Sequence, residues 1–279
     1  MHKRYGTLVF VAALVSGTLS PTGYAAIIAQ DHFDAYTLGS IADQGTIADG
    51  WLNTWGGYAR TTNPIPVRDV VADVFAPSGN QSLALGYNVG SGTLHNNALT
   101  RQFTPQTDTF YVGFLLQTTG MSDSSDLFHL YFNDNNATTS AGTNGTSLAL
   151  MITEGNRSLR AGGLDESIFA ANVDDVVNRI VLRFSKTVSG GDYDQLDVFV
   201  DQSTDATPTH TIVNTVPASG PGATVSALHV RMRYTAATDR VNFDDLRVAT
   251  TFAEVVPEPA SLSLLLLGAA GYLRRKRPA

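Results

Sequence analysis

Thr109-Phe110-Tyr111-Val112-Gly113-Phe114-Leu115-Leu116 is an eight-residue apolar run, rich in aromatic and branched side chains. Its length and composition suit a β-strand rather than a helix. Similar short runs lie on both sides: Leu127 to Phe132, Ser147 to Thr153, Arg179 to Ser185, Gln195 to Val200, His210 to Val213, Ala227 to Tyr234 and Arg240 to Val248. Between them stand turn formers, among them Asn133-Asp134-Asn135-Asn136, Ser189-Gly190-Gly191-Asp192 and Ser219-Gly220-Pro221-Gly222. No helical periodicity of useful length interrupts the series. Many short strands joined by polar turns predict an all-β, antiparallel sandwich of one domain over residues 27–254.

Charge is distributed unevenly. Six of the 18 basic residues sit at the two ends of the 279-residue chain; between residues 26 and 256, 12 basic residues face 24 acidic ones, a net charge of −12. A surface of that sign repels polyphosphate, so nucleic acid is excluded as a partner. The absence of cysteine removes disulfides, thiolate metal sites and a Cys nucleophile together. At 43% hydrophobic residues the chain can still build a sizeable core.

Both ends read as targeting segments. His2, Lys3 and Arg4 precede a short apolar stretch from Leu8 to Val15, and Gly23-Tyr24-Ala25-Ala26 offers small residues for cleavage. Residues 1–26 are therefore a signal peptide, implying export through the Sec translocon. At the other end, Pro257-Glu258-Pro259 stops any strand. An apolar segment, 260–273, and the basic cluster Arg274-Arg275-Lys276-Arg277 follow. As a helix, that segment would span only ~21 Å of a ~30 Å hydrocarbon core. Its basic end stays cytoplasmic under the positive-inside rule.

Motif, short helix and basic end, in that order over residues 255–279, resemble the PEP-CTERM sorting domain of Gram-negative bacteria. The resemblance implies an exosortase as partner and cleavage near Pro257 to Pro259. It also implies transient anchoring in the inner membrane, release to the envelope or extracellular matrix, and a host that makes extracellular polysaccharide. A second resemblance runs through the body. His32-Phe33-Asp34-Ala35-Tyr36-Thr37-Leu38-Gly39-Ser40, then Gly50-Trp51-Leu52-Asn53-Thr54-Trp55-Gly56-Gly57, the strand at Phe110, and the closing Val241-Asn242-Phe243-Asp244-Asp245-Leu246-Arg247-Val248 are similar to concanavalin A-like or LamG-like jelly rolls. That fold would set the first and last strands side by side, with Phe33 near Phe243. It implies carbohydrate recognition only as a tendency of its members.

Catalytic patterns are missing. A glycosidase needs two facing carboxylates, and the nearest imitation is Asp192, Asp194, Asp197 and Asp201, better explained as turn acids and a solvated strand face. Neither a G-x-S-x-G elbow nor a His-based metal spacing occurs. The chain is thus read as non-enzymatic, without cofactor. Calcium is the one ion that the oxygen-rich loops carrying Asp123, Asp126 and Asp134 would suit, although turn geometry explains those residues equally well.

A glycan-binding face follows from strand alternation. His129 and Tyr131 point away from Phe128, Leu130 and Phe132; His229, Arg231 and Arg233 point away from Val230 and Met232; Arg183 stands between Leu182 and Phe184. Together they would give one sheet an outer face of planar donors and aromatics, suited to sugars. Against this stands an ordinary solvent-exposed face whose arginines pair with nearby Asp. Trp51, Trp55 and Tyr58 are either a stacking platform for a saccharide or, more economically, aromatics closing one end of the core. The leading reading is an exported, tail-sorted matrix protein whose sandwich binds polysaccharide. Its alternatives are an Asp-dependent glycan hydrolase or lyase, and a purely structural adhesion component.

Overall fold

A computed structural model describes residues 26–256, apart from segments 42–43, 45–48, 60–65, 73–80, 88–95, 121–126, 135–148, 154–158, 163–166, 171–174, 214–221 and 234–238. The signal peptide apart from Ala26, the Pro257-Glu258-Pro259 motif, the C-terminal apolar segment and its basic cluster therefore lie outside the described residues.

Among the described residues are sixteen strands and one helical turn. In chain order the strands are β1 (Ile27–Asp31), β2 (Gly39–Ser40), β3 (Gly56–Ala59), β4 (Pro66–Ala72), β5 (Gln81–Tyr87), β6 (Asn96–Gln106), β7 (Phe110–Thr119) and β8 (Leu127–Asn133). They continue with β9 (Ala149–Thr153), β10 (Leu159–Gly162), β11 (Ser167–Ala170), β12 (Asn178–Ser185), β13 (Gln195–Val200), β14 (His210–Val213), β15 (Val225–Arg233) and β16 (Arg240–Ala249). The turn α1 is Phe252–Val255.

All of these pairings are antiparallel and fall into two sheets. One runs β14-β13-β12-β7-β16-β5-β4-β2, with β1 also on β16; the other runs β11-β10-β9-β8-β15-β6-β3. Successive strands β5, β6, β7 and β8 alternate between the sheets, as do β14, β15 and β16, so the chain winds around the core as a jelly roll. The first and last strands do lie together: Asp31 faces Leu246 and Gln30 faces Arg247. β16 has room for β1 because β5 pairs only with Arg240 to Phe243. Beyond that point a bulge between Asp244 and Arg247 shifts the register, with Asp245 at φ 49°.

The quoted strand supplies the centre of the core. Phe110 stacks on Phe184 at 4.9 Å between centroids and meets Tyr193 edge-on at 5.5 Å. Its neighbour Phe114 stacks on Phe243 at 4.7 Å. Phe33 enters the same core but takes other ring partners, Tyr36 at 5.9 Å and Trp55 at 6.2 Å. The register explains this: β1 reaches Leu246, and Phe33 lies two residues past its last paired position.

Where β1 leaves the sheet, His32 Nδ1 lies 2.8 Å from Asp245, whose carboxylate also meets Arg247 at 3.0 Å. The hydrogen bond to Asp245 raises the His32 pKa above its ordinary 6.5, against the opposing effect of partial burial. A raised folded-state value means that the pair stabilises fully below about pH 6.5 and stops doing so as pH rises through the folded value. A half-exposed pair of this kind is worth under about 1 kcal/mol. His32→Gln should flatten the fall in melting temperature between pH 6 and 8; an unchanged pH slope would remove the pair from the stability balance.

Candidate functional site

The seven-stranded sheet brings together most of the residues expected to form a ligand face. Its registers align Tyr58, Ala98, Arg231, His129, Met151, Arg160 and Ile168 across the whole width of the sheet. A second row aligns Gly56, Thr100, His229, Tyr131, Ala149 and Gly162. Arg233, paired with Asn96 and Leu127, flanks the first row, and Gln102, Ala227 and Asn133 flank the second. None of these described register positions is Asp or Glu. The outer face of the other sheet, by contrast, carries Asp69, Asp197 and Asp244 at its register positions.

Alternation produces the face. Leu228, Val230 and Met232 of β15 and Phe128, Leu130 and Phe132 of β8 enter the core, leaving the intervening residues on the opposite side. Tyr131 lies parallel on His229, 4.6 Å between ring centroids and 5° between planes. His229 Nε2 donates to Asn133 Oδ1 at 2.8 Å, which fixes the ring's orientation.

Burial corrects the expectation of an exposed face. His129, Tyr131, His229 and Arg231 are 8%, 4%, 2% and 6% exposed, so the outer side of this sheet is enclosed as well. Mutual shielding contributes, since the stacked rings cover one another's faces. The side chains of Tyr58 and Arg233 lie outside the described residues.

Arg183 does not join the cluster. It lies on β12 in the nine-stranded sheet, where its Nη2 and Nε meet Asp197 at 2.7 and 2.8 Å. Asp197 also accepts from Gln195 at 2.9 Å and from the Thr211 hydroxyl. Fully buried and satisfied in this way, Asp197 is a structural partner rather than a solvated strand acid.

Trp51 and Trp55 close one end of the core, at 2% and 0% exposure, instead of offering a surface platform. Their indole N–H groups are already engaged, by the Gln30 carbonyl at 2.7 Å and by Asp31 at 3.1 Å. Between them lies a charged group that no motif announces. Arg101 is 2% exposed and ion-paired with Asp31. It donates to the Tyr36 hydroxyl at 2.8 Å, and its guanidinium sits 4.5 Å from the Trp51 ring and 5.3 Å from the Trp55 ring. A weaker signal does exist: Leu99, Arg101 and Phe103 alternate in phase, so Arg101 occupies an inward position of β6.

Of the three calcium candidates, Asp123 and Asp126 lie outside the described residues, and Asp134 is exposed just past β8. Among the described residues no group of three His, Cys, Asp or Glu is placed to hold a metal ion. No described helix is long and apolar enough to cross a membrane.

Comparison with known proteins adds the tail. Residues 255–277 match the PEP-CTERM protein-sorting motif, so the chain carries that signal at its C-terminus. No curated protein matches the chain. Among solved structures, the chain is similar to a glycosyl hydrolase family 16 protein from Mycobacterium smegmatis: identity is 14%, 80% of this chain and 100% of that one are covered, and the TM-score is 0.48. An alginate lyase in complex with an alginate tetrasaccharide gives 8% identity, 79% and 95% coverage and a TM-score of 0.45. The calcium- and mannoside-bound exoplasmic domain of VIP36 gives 11%, 74% and 89%, and 0.43. No residue correspondence follows from likenesses this distant.

Proposed function

We propose that this protein is exported, sorted by an exosortase through its C-terminal signal, and displayed in the cell envelope or matrix. There the seven-stranded side of its sandwich binds polysaccharide without cleaving it, with the buried His129, Tyr131, His229 and Arg231 beneath the contact surface rather than on it. The observation that carries the reading is the segregation of charge. His129, His229 and Arg231 share a face, Arg160 and Arg233 fall at register positions in line with them, and no described register position there is an acid, in a body of net charge −12. Cationic residues on one side of an otherwise acidic protein favour saccharides that carry carboxylates. Among its described residues the same face holds no facing pair of Asp or Glu, the arrangement that glycoside hydrolysis requires.

Titration calorimetry with a polyuronate and with a neutral glucan tests the reading. The polyuronate should bind, and weaken as salt is raised, whereas the neutral chain should bind at least tenfold less well. Flat binding to every glycan, or release of reducing or unsaturated ends on incubation, would overturn the proposal.

A further inference from the structure

A second, smaller apolar cluster lies on the outer face of the nine-stranded sheet. Tyr111, Val181, Phe199 and Ala249 form its floor, and Phe252 and Val255 of α1 close it. The Phe252 ring meets Phe199 edge-on at 5.1 Å and Tyr111 at 6.1 Å, which leaves Phe252 6% and Val255 2% exposed. Gly113 lies beneath the turn: a Cβ there would come within 2.8 Å of Val255 Cβ, so its missing side chain is what lets α1 settle onto β7. Val256 N–H donates to the Phe252 carbonyl at 3.2 Å. Just upstream, Thr250 bonds Ala26, the last residue of the segment read as the signal peptide, its N–H donating to the Ala26 carbonyl at 3.1 Å and its Oγ1 accepting from Ala26 N–H at 3.1 Å. The packed body therefore runs into the sorting signal, whose match begins at residue 255, with no spacer between them.

We infer that Phe252–Val256 is a C-terminal seal that stays with the exported body and sets the upstream limit of tail removal, which falls at the Val256–Pro257 bond or beyond it. The inference rests on the reading of the tail as a sorting signal that is removed. Proteolysis selects exposed backbone over packed, hydrogen-bonded backbone, and the bonds from Phe252 to Val256 are of the second kind. Hydrolysis beyond Val256 breaks one amide C–N bond; water supplies the oxygen that the acyl carbon gains, the leaving nitrogen takes the proton, and the seal remains. A cut before Phe252 would instead strip the cover from Tyr111, Val181 and Phe199 and leave an aromatic patch on the outside of a sheet.

Two measurements on the full chain test this. In a host that carries the sorting enzyme, intact-mass spectrometry should place the mature C-terminus at Val256 or later; an end before Phe252 would overturn the seal. Purified full-length protein treated with proteinase K should be trimmed to Val256–Pro259 and stop there. With Phe252→Ser and Val255→Ser together, trimming should run on to Thr250 or Thr251, at least about tenfold faster than in the wild type, because cleavage follows the population of the open turn. Gly113→Ala, which unseats the turn from the sheet side, should do the same. An identical stop in all three proteins would also overturn it. A chain that keeps Ala279 in the host yet shows the proteinase stop would retire the sorting reading alone.

Discussion

Arg101→Met should lower the unfolding free energy by about 3–5 kcal/mol, the loss expected when one partner of a buried ion pair is removed. Asp31 would then keep a charge in a site that is 7% exposed. Its remaining partners there would be the Phe33 N–H at 2.9 Å, the Trp55 indole at 3.1 Å and the Tyr36 hydroxyl. Asp31→Asn should cost about as much, since it removes the charged partner of a buried guanidinium that keeps the Tyr36 hydroxyl and the Asn53 carbonyl, both neutral, beside it. Joint replacement, Asp31→Leu with Arg101→Met, should cost much less than the sum, because apolar groups of similar volume remove both desolvation penalties at once. Urea unfolding followed by tryptophan fluorescence reads all three, as Trp51 and Trp55 flank the pair. Additive losses would show that Asp31 and Arg101 act independently.

That pair also marks where the sequence was legible and where it was not. Eight strands from Phe110 onward were readable because each is a short apolar or alternating run between turn formers; Gln195–Val200 and His210–Val213 appear with the expected bounds, whereas the four-residue strands Leu159–Gly162 and Ser167–Ala170 were not singled out. The run Asn96–Gln106 was not singled out, since Arg101, Gln102 and Thr104 dilute its pattern. Alternation correctly set His129, Tyr131, His229 and Arg231 on the side opposite the core, because side-chain period is a local property of a strand. It could not show that Arg183 belongs to the other sheet, nor that the outer face would be enclosed. Both depend on which strands become neighbours and on what lies over them, and those are long-range outcomes. The Trp residues were ambiguous for a similar reason: only the position of Arg101 and Asp31 shows that Trp51 and Trp55 face inward.

Gly50→Ala should be nearly as damaging as the loss of Arg101, about 2–5 kcal/mol, for two reasons that a second glycine separates. Gly50 has φ +86°, a left-handed conformation that costs an L-residue roughly 1–2 kcal/mol. A Cβ there would also run into the Ile28 carbonyl oxygen and come within 2.8 Å of Ala29 Cα, both backbone atoms of β1 that no rotamer change can clear. Forcing them apart adds a further overpacking cost of about 1–3 kcal/mol. Gly190 has φ +74° but nothing within 4 Å of the point where an alanine methyl would stand, so Gly190→Ala should show the conformational cost alone. Equal shifts in urea midpoint for the two variants would mean that β1 yields freely at Ile28. The difference matters for the segment that holds both tryptophans. Asp49, itself at φ 55°, accepts the Gln30 N–H at 2.9 Å through its carbonyl, and Gly50 lets the chain pass directly against β1 before Trp51 turns inward. The glycine-rich segment is a close backbone crossing that delivers both tryptophans to the core, the more economical of the two readings that the sequence offered.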